Sequence, residues 1–132
     1  MLFWARIVDR TGAKIYNLIA ALILGTAGLA LSVLFTSLVP ALICLTIALI
    51  GTISARTVFY TIPQSFLTGA AAAGGLAFIN SVGAFGGFVG PYLVGFLKET
   101  TGSFNAGMLG MAAILVFATL LAASLKLVIK NA

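Results

Sequence analysis

The sequence predicts an all-α integral membrane protein with four transmembrane helices, and three observations lead there. Apolar residues make up 62% of the 132 positions, charged residues only 7%, and mean hydropathy is +1.25. Soluble domains are about a quarter charged, so a water-soluble fold would lack the polar side chains to cover its surface. The few charges fall at the borders of long apolar runs: residues 15–55, 57–97 and 100–125 carry none. A hydrocarbon core of about 30 Å takes about 20 helical residues, so the first two runs each hold two crossings and the last holds one, with one crossing shared across Arg56. Finally, the basic residues are distributed unevenly between the two ends of such a bundle.

Taken in order, residues 1–14 read as a loop and residues 15–132 as the four-helix region. The first span is predicted at about 15–38, closed by the polar pair Thr36 and Ser37. The second, about 40–60, starts at Pro40, where the missing N–H costs little because the first turn leaves its amides unpaired anyway. Tyr60, Thr61 and Pro63 mark the next break. Residues 61–69 either leave the membrane or continue the second helix beyond a kink; the sequence leaves both open. The third span is placed at about 71–97 and the fourth at about 104–127, which leaves Asp9 and Glu99, the only carboxylates, in loops.

Four spans put both termini on one side. Arg6, Arg10, Lys14, Lys126 and Lys130 then share that side, with Arg56 near it, and only Lys98 lies opposite. The positive-inside rule makes the shared side cytoplasmic. A secretory signal fits poorly, because the first apolar run is long, follows a polar loop and is succeeded by three more. The basic excess therefore reports membrane orientation and not nucleic-acid binding.

The third span is rich in glycine. Gly83 with Gly87, and Gly86 with Gly90, are small-xxx-small pairs that let another helix approach closely, since packing contacts replace the hydrophobic driving force inside lipid. Gly90 followed by Pro91 predicts bending. Asn80 and Ser81 lie in the middle of this span, where an amide facing hydrocarbon would cost several kcal/mol. Asn80 therefore faces protein or water, either bonding a neighbouring helix or contacting a polar substrate. Arg56 carries a similar pair of readings. About 24 Å along its helix, it either snorkels to the headgroups or faces inward as an anion contact. Trp4, Tyr16, Tyr60 and Tyr92 read as interface anchors, and Cys44 as a small buried apolar residue.

The missing chemistry narrows the function. Histidine is absent and there is one cysteine. Paired-carboxylate hydrolysis, metal cages and Ser-His-Asp catalysis lack their parts, so no enzyme activity, catalytic residue, metal or cofactor is expected.

The run Phe59-Tyr60-Thr61-Ile62-Pro63, Phe66-Leu67-Thr68-Gly69, Ala72-Ala73-Gly74-Gly75-Leu76-Ala77-Phe78-Ile79-Asn80-Ser81-Val82-Gly83 and Gly86-Gly87-Phe88-Val89-Gly90-Pro91-Tyr92 resembles the final helices of the anion:cation symporter family of the major facilitator superfamily. Asp9, Arg10, Gly12 and Lys14 resemble that superfamily's loop between the eighth and ninth helices, with Ala5 and Ala13 where glycine and a basic residue usually stand. The resemblance implies that the four helices are spans nine to twelve of a twelve-helix secondary transporter, with the N-terminal helices missing from this chain. It implies a small organic anion as substrate, a sugar acid or carboxylate, moved by cation symport with alternating access across the bacterial inner membrane. Asn80, Ser81 and Arg56 are then the substrate-binding candidates. The partners are the lipid bilayer, the anion and its coupling cation, and not nucleic acid. The alternative is a non-transporting membrane remnant or a helix-packing assembly subunit.

Overall fold

A computed structural model describes Arg6, Arg10 and residues 12–130, with side chains described as far as Lys126. Asp9 of the loop motif and Trp4 lie outside the described residues. Among the described residues four long helices follow one another: α1 (Lys14–Leu34), α2 (Leu38–Thr61), α3 (Gly69–Thr101) and α4 (Phe104–Lys130), with a 3-10 turn over Pro63–Ser65. All four are long and apolar enough to cross a membrane. The short links make successive helices antiparallel, so the start of α1, the end of α2, the start of α3 and the end of α4 gather at one end of the bundle.

The boundaries move from the expected ones for local reasons. The first helix stops at Leu34, not near residue 38, because Phe35 and Ser37 are extended. Pro40 sits in the first turn of α2, behind Leu38 and Val39, where no helical N–H is lost. Beyond Thr61 the chain neither continues as α-helix nor runs out as an open loop; one 3-10 turn at Pro63 folds it back. Gly69 (φ +58°) opens α3 and Gly102 (φ +69°) closes it, with the Gly102 N–H donating to the Lys98 carbonyl at 2.8 Å. That left-handed glycine is a helix stop. The expectation that Glu99 lies in a loop is therefore corrected: Lys98 and Glu99 occupy the last turn of α3, which runs unbroken through Pro91. Its 33 residues make about 50 Å of helix, well beyond the hydrocarbon core.

The tightest seam lies between α1 and α2. Ala21, Gly25, Gly28 and Ser32 on α1 are buried against Cys44, Ala48, Gly51 and Ala55 on α2. Both sets repeat at alternating spacings of four and three, a narrow stripe of small side chains on each helix. A Cβ added at Gly28 would stand 2.5 Å from the Ala48 nitrogen and 2.8 Å from the Cys44 carbonyl oxygen. Glycine is needed there because the backbones touch. A core of Leu18, Ala21, Leu22, Ala55, Val58 and Ala122 then ties α4 onto this pair.

On the other flank, α4 meets α3 by setting Gly107 against Val94 and Gly110 against Leu97. No residue of α3 is buried. Helix α2, although it precedes α3 directly, meets it mainly through the 3-10 turn. The bundle is thus ordered α2, α1, α4, α3, with a gap between its first and last members. Hydroxyls along the spans bond to carbonyls one turn back: Thr26 to Leu22 (2.8 Å), Thr52 to Ala48 (2.8 Å) and Thr119 to Leu115 (2.7 Å). This satisfies them without water, as a lipid-facing helix requires.

Candidate functional site

The gap between α2 and α3 forms a cleft of about 590 Å³, lined by Arg56, Phe59 and Tyr60 on one side and Ile79, Asn80, Gly83 and Ala84 on the other. It owes its width to small residues. Gly83 has nothing within 4 Å of where a Cβ would stand, so the α3 wall is low beside Asn80. Across the cleft, Arg56 and Tyr60 stand four residues apart on α2 and share one face.

The Tyr60 hydroxyl donates a hydrogen bond to Asn80 Oδ1. The carbonyl side of the amide is thereby taken, and its two N–H donors have no partner among the described residues. The Arg56 guanidinium carbon is 5.9 Å from the Tyr60 ring centroid, at the outer reach of a cation–π contact. No ion pair involves Arg56 among the described residues. The cleft therefore presents one full positive charge and two amide donors beside an aromatic wall. An anion's oxygen atoms could accept from all of these, with the Arg56 fork able to take a carboxylate through two bonds. Its described lining carries no carboxylate, histidine or cysteine.

Two sequence-predicted site residues, Arg56 and Asn80, are thus brought together, and a third is not. Ser81 Oγ donates back to the Ala77 carbonyl at 3.0 Å and does not line the cleft. Tyr60 is the residue that sequence reasoning missed, having been placed among the interface anchors. Its partner lies 20 residues further on, across a turn whose course the sequence left open.

The glycines singled out for packing, Gly83, Gly86, Gly87 and Gly90, meet nothing within 4 Å inside this chain, where two helix backbones come closest at Gly28 and Gly51. In the loop motif, Gly12 takes a left-handed conformation (φ +63°), and Lys14 Nζ donates to the Thr61 carbonyl at 3.2 Å, satisfying an end carbonyl of α2. Arg10 is exposed.

The chain is similar to bacterial transport proteins. It is 43% identical over 121 residues to a putative tartrate transporter of Agrobacterium vitis, covering 92% of this chain and 27% of that protein. It is 39% identical over 121 residues to a quinolone resistance transporter of Acinetobacter baumannii, and 37% over 122 residues to the inner membrane transport protein RhmT of Escherichia coli K12, covering 92% of this chain and 28% of each. The chain thus spans about a quarter of the length of the curated relatives it matches. No protein-family model and no solved structure matches it. With four apolar helices and transporters as relatives, this is an integral membrane protein related to a part of longer transport proteins.

Proposed function

We propose that these helices correspond to spans nine to twelve of a major facilitator transporter of the anion:cation symporter type. In the intact transporter they line the path of a small organic anion, a sugar acid or carboxylate. One observation carries this reading: the cation Arg56, the Tyr60 hydroxyl and the Asn80 amide converge on one cleft between spans that are otherwise overwhelmingly apolar. Ionisable residues inside spans mark substrate paths by default.

Arg56 supplies positive potential, and Asn80, held by Tyr60, offers its N–H donors to hydroxyl or carboxylate oxygens. No carboxylate stands within the middle of any of the four helices, so the coupling cation is handled by helices outside this chain, and transport proceeds by alternating access between the two groups. The unfilled glycine positions of α3 are where those helices approach. The excess of basic residues at the end that carries Lys14 and Lys126 supports cytoplasmic termini in a bacterial inner membrane.

The test is substrate-induced thermal shift in a transporter assembled from this chain and the helices of a relative. Losing a polar contact to an anion oxygen should weaken binding by about 1 to 3 kcal/mol, whereas losing an interhelical bond in a membrane averages only about 0.6 kcal/mol of stability. Asn80→Ala should reduce the ligand-induced shift while the ligand-free melting temperature changes little; Gly87→Leu should do the reverse. A lower ligand-free melting temperature with intact affinity in Asn80→Ala would make the asparagine a structural residue.

A further inference from the structure

A second cavity lies at the end of the bundle where both termini gather, bounded by the start of α1, the 3-10 turn and the last described turns of α4. It measures about 790 Å³. Lys14 and Lys126 both line it, together with Tyr16, Phe66 and apolar wall from Ile62 and Leu125. We propose that this cavity binds the phosphate headgroup of an anionic phospholipid, with the lipid's glycerol and first chain carbons lying against the apolar wall. The inference is independent of any transported substrate.

Charge decides what this cavity takes. Each ammonium group carries three donors. Lys14 Nζ uses one on the Thr61 carbonyl. Lys126 Nζ stands 4.0 Å from the Tyr16 ring centroid, a cation–π contact that fixes the ammonium over one face of the ring and leaves its outward N–H groups for another partner. The helix ends oppose this potential little. The N-termini of α1 and α3 contribute about half a positive charge each and the C-termini of α2 and α4 about half a negative charge each, so they nearly cancel. Among the described residues, the two full cations Lys14 and Lys126 therefore set the potential, and the cavity favours an anion.

Position identifies which anion. All four helices end at this level, so it is the membrane surface, where the phosphates of the bilayer lie. Tyr16 is 60% exposed and Phe66 is 68% exposed, and aromatic rings of this kind sit at headgroup depth. Basic pockets between helices at such a level suit lipid phosphates. A small soluble anion would leave the Ile62 and Leu125 wall wet, whereas a phospholipid covers it.

The experiment is native mass spectrometry of the purified chain released from mixed micelles containing phosphatidylglycerol and phosphatidylcholine. The proposal predicts preferential retention of one phosphatidylglycerol per chain. Each lysine removed should weaken retention about fivefold, from about 1 kcal/mol per basic residue near an anionic surface, so Lys14→Gln and Lys126→Gln together give a loss of more than tenfold. Lys98→Gln serves as the control. Its ammonium is also set on an aromatic ring, 5.4 Å from the Phe104 centroid, but at the opposite end, and it should retain the lipid as the parent does.

Lys126→Arg keeps the charge and should keep the preference, which separates lost binding from lost folding. Equal retention of the two lipids by the parent chain would overturn the proposal. So would an equal loss in Lys98→Gln, or displacement of the lipid by millimolar inorganic phosphate, which would make the cavity a soluble-anion site.

Discussion

Gly51→Ala should be among the most damaging single-methyl additions to this chain, and the seam shows why. A Cβ at position 51 would lie 2.8 Å from the Ala21 carbonyl oxygen and 2.8 Å from Gly25 Cα, and closer still to the Gly25 nitrogen; ordinary contact begins at 3.4 Å. All three atoms belong to the α1 backbone, so no side chain can rotate aside. The helices must separate by about 0.6 Å or more, and a gap of about 0.5 to 1 Å forfeits a quarter to a half of each dispersion contact along the seam. Overpacking of this kind costs about 1 to 3 kcal/mol. Gly87→Ala is the matched control: it adds the same methyl to a helix and gains the same propensity, but meets nothing within 4 Å. The difference between the two variants therefore removes the propensity term, and at about 2 kcal/mol it is close to a thirtyfold change in the unfolding equilibrium. Denaturation of the purified chain in mixed micelles, followed by circular dichroism, measures it. Equal stability of the two variants would show that α1 and α2 do not meet backbone to backbone, and the packing scheme would be wrong.

Other substitutions report on separate parts of the structure. Gly102→Ala forces a side chain into a left-handed conformation (φ +69°) and should cost about 1 to 2 kcal/mol in the same denaturation, with Ala at Gly74 as the unstrained comparison. Lys14→Met should cost about 1 kcal/mol by leaving the Thr61 carbonyl without its donor, and Lys14→Arg should recover most of it. In a Cys44→Ala background, cysteines at positions 64 and 102 should label from opposite sides of the membrane, with position 64 on the side of the termini; labelling from the same side would remove a span from the bundle.

Much of this architecture could be read from the chain because lipid makes charge placement decisive. Nine charged residues spaced around long apolar runs allow few divisions, and four helices result. The ends of α3 were less legible, although Gly69 and Gly102 both supply the left-handed conformation that begins and stops it. The α1–α2 seam carried a signal of the same kind as α3: Ala21, Gly25, Gly28 and Ser32 facing Cys44, Ala48 and Gly51. It was overshadowed because the glycines of α3 are denser, and density does not say which glycines face a neighbour in the same chain. Arg56 and Asn80 stood out as polar groups in apolar spans. Tyr60 did not, since a tyrosine near a span border is ordinarily an anchor, and only the fold-back at Pro63 brings its hydroxyl to Asn80. Ser81 was grouped with Asn80 by adjacency, yet one residue along a helix turns the side chain by about 100°, away from the cleft.

The central claim, that the Arg56–Tyr60–Asn80 cleft lines an organic-anion path, is tested most directly by uptake. This chain would replace the matching segment of the Agrobacterium vitis relative, and the purified hybrid would be reconstituted in liposomes with an imposed pH gradient and offered labelled sugar acids and carboxylates. The hybrid should accumulate at least one of these anions above empty vesicles, with Arg56→Gln and Asn80→Ala each reducing uptake at least tenfold and this chain alone giving none. Uptake by the hybrid that is unchanged in both variants would contradict the claim.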